Sequence, residues 1–529
     1  MCGVIGVISR RPVLDKVVQG LLALENRGKE STGIAGYSVE HRRFVPLINE
    51  AKPASETYTE EFFRKYGDSP VTLAIGHNRY ATSGDDVTRD IQPLRITRPG
   101  IVGCHNGQVA NLVTLEKSLR GHEWSLNTTC DVELLLGALG QGLRQHEATT
   151  TDTKAYIHRR LRPALHELMD KDSPLFVNGA YSFLTIIDGQ GLMAVRDPYG
   201  IRPLVWSERK EEDGSSTYAF ASEPTAFHAI GGFGPSHAVS AGEAIFIDFE
   251  LNKHHLMINK KGEAHCAFEY PYFANVASKL EGVSVYDARI AIGHQLAKEH
   301  PEFQGKIDLV MPIPDSPRPI AKGFADAMTG LNFDDFLRYA AIGPSIAGRE
   351  IVEMARNGLI TPHGEGVIKN PHFSKRVFQE RSPERRQAAL RLKYEFIKSQ
   401  VDGRRVAVVD DSIVRADTMR YVNARLRELG AREIHAFIGF PPILFPCPYG
   451  IDTPQYEELI AHKLGANMPA IAQHVYADSV NYISHRGLYQ AIGLPAEKLC
   501  MACTNGQYPT GKGVKEYTEL RTRQRERQA

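Results

Sequence analysis

Through the first half of the chain, short apolar runs are broken every few positions by glycine and polar residues, the spacing of many short strands. Two stretches carry helical spacing instead, around Leu14–Leu24 and Asp131–Leu143. Together they predict a layered α/β sandwich. The pattern closes near Asp248–Lys260. A helix then opens at Glu281-Gly282-Val283-Ser284-Val285-Tyr286-Asp287, with Ser284 and Asp287 placed as a capping box. From there helices alternate with short apolar strands such as Ile307–Ile313 and Arg405–Val409, the pattern of a parallel sheet wound by crossover helices. A second domain is expected from about residue 260. Within it, the strand Val406–Val409 runs through Asp410-Asp411-Ser412-Ile413-Val414-Arg415 into a helix. Its apolar face is Met419, Val422, Leu426 and Leu429, and Gly430 closes it.

Composition narrows the class. A chain of 529 residues has room for roughly two to four domains with their own cores. Lys and Arg total 63 against 62 Asp and Glu, so no global field favours nucleic acid or an anionic membrane. No apolar run reaches membrane-spanning length and the start does not read as a signal peptide. A soluble cytoplasmic enzyme is the expectation. Seven cysteines in this length do not make a disulfide framework. No internal repeat is visible, and the polar tail Lys515–Ala529 is expected to be a solvated end.

The candidate chemistry begins at Cys2. Behind a removable Met1, this residue would carry both a thiol and a free α-amine. Such an amine titrates at roughly pKa 7.7–8.0 and can serve the thiol as its base. Three segments follow: Glu25-Asn26-Arg27-Gly28-Lys29-Glu30-Ser31-Thr32-Gly33, His77-Asn78-Arg79-Tyr80-Ala81-Thr82-Ser83-Gly84 and His105-Asn106-Gly107. Alone, Asn-Gly is a turn signal and Arg79 an ordinary surface cation. In this order behind Cys2, the set resembles the class II, N-terminal-nucleophile glutamine amidotransferases. That resemblance implies Cys2 as nucleophile and the Asn106 side chain with the Gly107 N–H as oxyanion hole. It also implies Arg79 on the α-carboxylate of glutamine and Asp131 on its α-ammonium, with Thr82 nearby. Lys29, where glutamine is usual, and Cys130-Asp131-Val132-Glu133, where Ser-Asp-Thr-Glu is usual, depart from the pattern without touching those residues.

Val408 to Arg415 resembles the phosphoribosyl-pyrophosphate (PRPP) signature of phosphoribosyltransferases. Further matches are Phe268-Glu269-Tyr270, Asp315-Ser316, Lys369-Asn370, Tyr449-Gly450-Ile451-Asp452 and Asp478-Ser479. From residue 2 to about 510 the chain therefore resembles the glutamine PRPP amidotransferase family, which carries out the committed step of purine biosynthesis. The resemblance implies an αββα glutaminase followed by a type I phosphoribosyltransferase-like parallel-sheet domain. The division expected is 1–258, 259–480, and a C-terminal segment 481–529. PRPP would be held by Asp410, Asp411, Ser412, Arg415 and Thr418, and Mg²⁺ by Ser316, Asp410 and Asp411. Glutamine and PRPP are the implied small-molecule partners, with a homo-oligomer (dimer or tetramer) and an interdomain ammonia channel.

The departures fall on the phosphate contacts. Ala416-Asp417-Thr418 stands where the family has Gly-Thr-Thr. Alanine resists positive φ, and a carboxylate about 4 Å from a phosphate charge costs about 4 kcal/mol at an effective dielectric of 20. Pro317 follows Asp315-Ser316 in place of glycine, and the catalytic loop reads Pro371-His372-Phe373-Ser374-Lys375. Two acceptors therefore stay open: PRPP itself, or a different phosphorylated acceptor served by a diverged paralogue in a specialised pathway.

Cys500-Met501-Ala502-Cys503 is a CxxC, compatible by itself with zinc, an iron–sulfur cluster or redox chemistry. The resemblance adds Cys266 and Cys447, because some family members bind a [4Fe-4S] cluster through cysteines at these four positions. Tetrahedral zinc would also accept four thiolates. Cys104 and Cys130 are expected to be packed small side chains.

Overall fold

The computed structural model describes residues 2–45, 48–80, 88–146, 150, 152–329, 361–371, 383–451, 453, 455–511, 516–517 and 519, with backbone alone for 383–386. Thr82, Asp452 and the loop positions His372 to Lys375 lie outside them. The strand Gly3–Ile8 runs near the middle of an eight-stranded antiparallel sheet, between Ser216–Ala221 and Leu73–Arg79. Its alternation feeds two cores. Val4 and Ile8 point into the space between this sheet and a second, six-stranded one, whereas Ile5 and Val7 meet helices on the outside. Those helices include Leu14–Ala23 and Thr225–Ile230, through Val17, Leu21, Ala226 and Phe227. The second sheet, with Gly100–Val109 paired to Gly179–Ile187, is covered on its far face by Leu112–Gly121, Asp131–Gln145 and Arg162–Met169. Four layers, αββα, result.

From Leu309 onward the sheet is parallel, in the order Leu309–Pro312, Arg405–Asp410, Glu433–Ile438, Ser479–Tyr482. Helices Val285–Glu299, Arg318–Met328 and His485–Ile492 cover one face. Asp417–Glu428 and Met468–His474 cover the other. The expected cap is present, with Ser284 Oγ accepting from the Asp287 N–H at 3.3 Å. The core on the first of these faces extends back to Ala180 and Ile201, so the sandwich and the parallel sheet share apolar packing. Among the described residues no helix is long and apolar enough to cross a membrane.

One expectation fails at the chain end. Tyr517 is buried, and Glu516 accepts from both the N–H and the hydroxyl of Thr114 at 2.8 Å. The first-turn N–H groups of helix Leu112–Gly121 have no side-chain cap of their own. A carboxylate from the tail takes that place, where the helix dipole favours it.

Candidate functional site

The register of the central strand sets the first site. Gly3 pairs with Asn78, which brings Cys2 beside Arg79 and Tyr80. Cys2 is buried, and its Sγ accepts from the Tyr80 N–H at 3.4 Å and lies 3.6 Å from the Tyr80 carbonyl. Burial pushes the thiol up from its ordinary range. The charge of the chain terminus, the Tyr80 N–H and Arg79 pull against it.

Asn106 and Gly107 lie on a strand, not in a turn. Asn106 Oδ1 accepts from Cys2 N at 3.1 Å, while its buried Nδ2 has no acceptor among the described residues. A buried amide donor left open beside a nucleophile is what an incoming oxyanion requires. Gly107 sits at φ 151°, and a Cβ there would come within 1.9 Å of the Ala180 carbonyl oxygen. Only glycine fits.

Both signs of charge flank the thiol. Arg79 is buried with Asp90, 3.7 Å from its carboxylate. Asp131 takes His105 Nε2 on one oxygen at 3.0 Å and the Val109 N–H on the other at 2.9 Å. Arg79 and Asp131 both act electrostatically on Cys2. A zwitterionic amino acid matches this arrangement. Asp90 was missed by sequence reasoning, since nothing local marks a lone aspartate as part of a site, and Tyr80 and His105 stood inside the motifs without a role of their own. Arg27 had a signal, being inside a quoted motif. It is wholly buried, donating from Nε to the Cys2 carbonyl at 2.9 Å and from Nη1 and Nη2 to Glu223 and Glu269 at 2.6 and 3.0 Å.

The second site lies beyond the carboxyl ends of the parallel strands, where open sheets of this kind bind ligands. Asp315, Ser316, Asp410, Asp411, Ser412, Arg415 and Thr418 all line one cavity of ≈ 970 Å³. Asn26, Lys29 and Tyr80 line the same cavity from the sandwich side. Asp411 accepts from the Ser412 hydroxyl at 2.8 Å, and the Ser316 side chain also favours its charged form. Burial holds Asp410 and Asp411 above the ordinary carboxylate range, and the Asp411 charge raises Asp410 further, so the pair resists double ionisation. Lys393, which the sequence did not single out, faces this pair. Burial and Lys369 lower it to about 8.

Arg415 is engaged by Glu458 at 2.6 Å. Ala416 adopts φ 71°, ψ 0°, at the N-cap of helix Asp417–Glu428. The loop thus takes a left-handed turn that glycine adopts at ease, at a cost of about 1–2 kcal/mol for alanine. Asp417 is the first residue of the helix, where the dipole favours a carboxylate, and it acts on His474.

The four cysteines gather. Strand His265–Cys266 pairs in parallel with Leu499–Cys500, placing Cys266 opposite Cys500. All four are buried, and Cys503 interacts electrostatically with Cys447, Cys266 and Cys500. Burial pushes Cys266 up to about 11, Arg202 opposing it. Among the described residues no three His, Cys, Asp or Glu side chains converge closely enough to hold one ion. Tetrahedral zinc, at about 2.3 Å from each sulfur, needs such convergence. Cys104 and Cys130 are buried apart from this group, Cys104 on Gly76 O and Cys130 beside Gln92.

A glutamine amidotransferase domain model matches residues 77–229. The chain is 31% identical to the amidophosphoribosyltransferase of Methanothermobacter thermautotrophicus, over 98% of this chain and 97% of that one. It is 33% identical to the amidophosphoribosyltransferase of Synechocystis sp., over 96% and 90%. The solved structure of glutamine PRPP amidotransferase from B. subtilis, complexed with ADP and GMP, matches with TM-score 0.74 and 29% identity, covering 96% of this chain and 97% of that one. Fold and site together define an N-terminal-nucleophile glutaminase joined to a phosphoribosyltransferase-like sheet. The chain belongs to the amidophosphoribosyltransferase family.

Proposed function

We propose that this chain releases ammonia from glutamine at Cys2 and transfers it to C1 of PRPP, giving 5-phosphoribosylamine, pyrophosphate and glutamate. The observation that carries this reading is the shared cavity. Tyr80, whose backbone touches the Cys2 sulfur, and the Asp410–Asp411 pair line the same space. The Cys2 sulfur bonds to the glutamine side-chain carbonyl carbon, with its proton passing to the departing ammonia. Water then cleaves the thioester to glutamate and restores the thiol. The Asn106 amide and Gly107 N–H hold the oxyanion, and Arg79 and Asp131 fix the two charges of glutamine. Ammonia crosses the cavity and displaces pyrophosphate. At that end Asp410, Asp411 and Ser316 are suited to hold Mg²⁺, which would neutralise pyrophosphate charge. Lys393 adds a cation, and Ser412, Arg415 and Thr418 frame the 5′-phosphate at the helix N-terminus.

A different phosphorylated acceptor is not favoured, because the relatives matched over nearly the whole chain are amidophosphoribosyltransferases. We place the domain divisions at 258 and 480; the first is supported by the end of the antiparallel sandwich sheets at Met257, whereas strand Ser479–Tyr482 runs across the second. A cytoplasmic homo-oligomer remains our reading from family resemblance. The deciding experiment supplies glutamine labelled at the amide nitrogen with PRPP and Mg²⁺. Label in 5-phosphoribosylamine with equimolar pyrophosphate is the expected product; glutamate without it rejects the acceptor.

We read the four buried thiols, which act electrostatically on one another, as ligands of a [4Fe-4S] cluster on the family resemblance, with zinc as the alternative. Protein purified without oxygen should carry about four iron and four sulfide per chain. Zinc alone refutes this.

The second site also fixes a pH profile. Mg²⁺ binding needs the Asp410–Asp411 pair ionised, so kcat/KM for PRPP rises as pH climbs through the pair's elevated range. Lys393 loses its charge as pH passes about 8, so kcat/KM falls again there. Lys393→Met should abolish the alkaline limb; persistence of that limb assigns it elsewhere.

A further inference from the structure

One guanidinium beside the gathered thiols lacks the acceptors that a buried arginine needs. Arg202 is fully buried. Its Nε donates to the Tyr449 carbonyl at 2.6 Å. Nη1 lies 3.6 Å from Glu269 Oε1, within ion-pair reach but too far for a hydrogen bond, and among the described residues neither Nη1 nor Nη2 has a hydrogen-bond acceptor. Arg202 interacts electrostatically with Cys266 and Cys447.

Charge balance does not account for this arrangement. Arg27 and Arg202 already face Glu223 and Glu269, two cations against two anions. What is left over is hydrogen-bonding capacity: two buried donor nitrogens beside Cys266 and Cys447, the thiols that act on this guanidinium. A neutral thiol is a weak acceptor. A thiolate accepts charge-assisted hydrogen bonds, and bonds to ligand sulfurs, with net charge, set the properties of iron–sulfur centres.

We infer that Arg202 is a positioning residue that donates from Nη1 and Nη2 to the sulfurs of Cys266 and Cys447 once these are metal-bound thiolates. This rests on the cluster reading given above. The Nε bond to Tyr449 fixes the plane of the fork and belongs to the same loop as Cys447. Lysine would bring the charge without the planar pair of donors.

The test compares wild type, Arg202→Met and Arg202→Lys, all purified without oxygen. Iron and sulfide per chain are measured, then the rate at which visible absorbance is lost to an iron chelator. Arg202→Met should lose the cluster about 10- to 100-fold faster, the range seen when partners of metal ligands are removed, and Arg202→Lys should fall between. Thermal unfolding of Arg202→Met is also measured in a Cys447→Ser background, where most of its effect should vanish. Equal destabilisation in both backgrounds, or a chelator rate unchanged from wild type, overturns the inference. If Arg202→Met does not fold, Arg202→Lys decides by the same two readings. Wild-type protein without iron and sulfide overturns the cluster itself, and this inference with it.

Discussion

Changing Cys2 to alanine abolishes glutamine-dependent turnover, by at least about 10³-fold, while synthesis from free ammonia and PRPP persists. The asymmetry follows from the two ends of the cavity. Cys2 touches only the sandwich end, through Tyr80 and Asn106, and contributes nothing to the Asp410–Asp411 pair. Alanine preserves the strand, because the Asn106 and Arg27 contacts of residue 2 go to its backbone. Folding is therefore untouched and the loss is chemical. Mass spectrometry of active protein should show a chain beginning at Cys2. Retained deamidation in Cys2→Ala, or full activity from a chain still carrying Met1, defeats the assignment.

Asp411→Asn produces the opposite pattern. PRPP-dependent synthesis should fall by about 10²–10³-fold, the equivalent of 3–4 kcal/mol, and glutamine hydrolysis measured without PRPP should change little. Asparagine keeps the shape and can still meet the Ser412 hydroxyl. It cannot supply the anionic oxygen that a hard cation needs. Arg289 makes the site sensitive in a second way. It donates to the carbonyls of Tyr270, Tyr272, Ala274 and Ser316, and its buried charge is supported electrostatically by Asp411. Neutralising Asp411 removes that support, so a modest loss of thermal stability should accompany the kinetic defect. Kinetics with PRPP as varied substrate measure the first effect and thermal unfolding the second. Unchanged PRPP kinetics would remove Asp411 from the acceptor site.

Local signals in the sequence carried the architecture because each had a short-range physical cause. The Ser284 cap, the apolar face Met419–Val422–Leu426 and the glycine-punctuated strands are decided by residues a few positions apart. The site was legible where a motif joined neighbours, as in Asn106-Gly107 or Asp410-Asp411. It was not legible where partners meet only in space. Asp90 reaches Arg79 from the turn before strand Leu94–Thr97, Lys393 comes to the aspartates from the end of helix Pro383–Lys393, and Arg202 and Glu269 belong to different halves. The tail failed for the same reason. Glu516 reads as one charge in a polar run until Thr114 is brought beside it, a partner 402 residues away. Ala416 shows the converse limit, since sequence alone gave its preference and tertiary packing imposed the disfavoured conformation.

The approach of Gly450 to Gly107 has an evolutionary consequence. A methyl group on Gly450 would lie 2.7 Å from the Gly107 carbonyl oxygen, so the two backbones touch with no side chain between them. This seam joins the strand bearing Asn106 to the loop bearing Cys447. Neither piece can drift without the other answering. Hybrids that exchange front and rear halves between distant relatives should therefore lose deamidation wherever the recombined seam is imperfect, even with every reactive group in place. Lineages would be expected to inherit the pair as a unit.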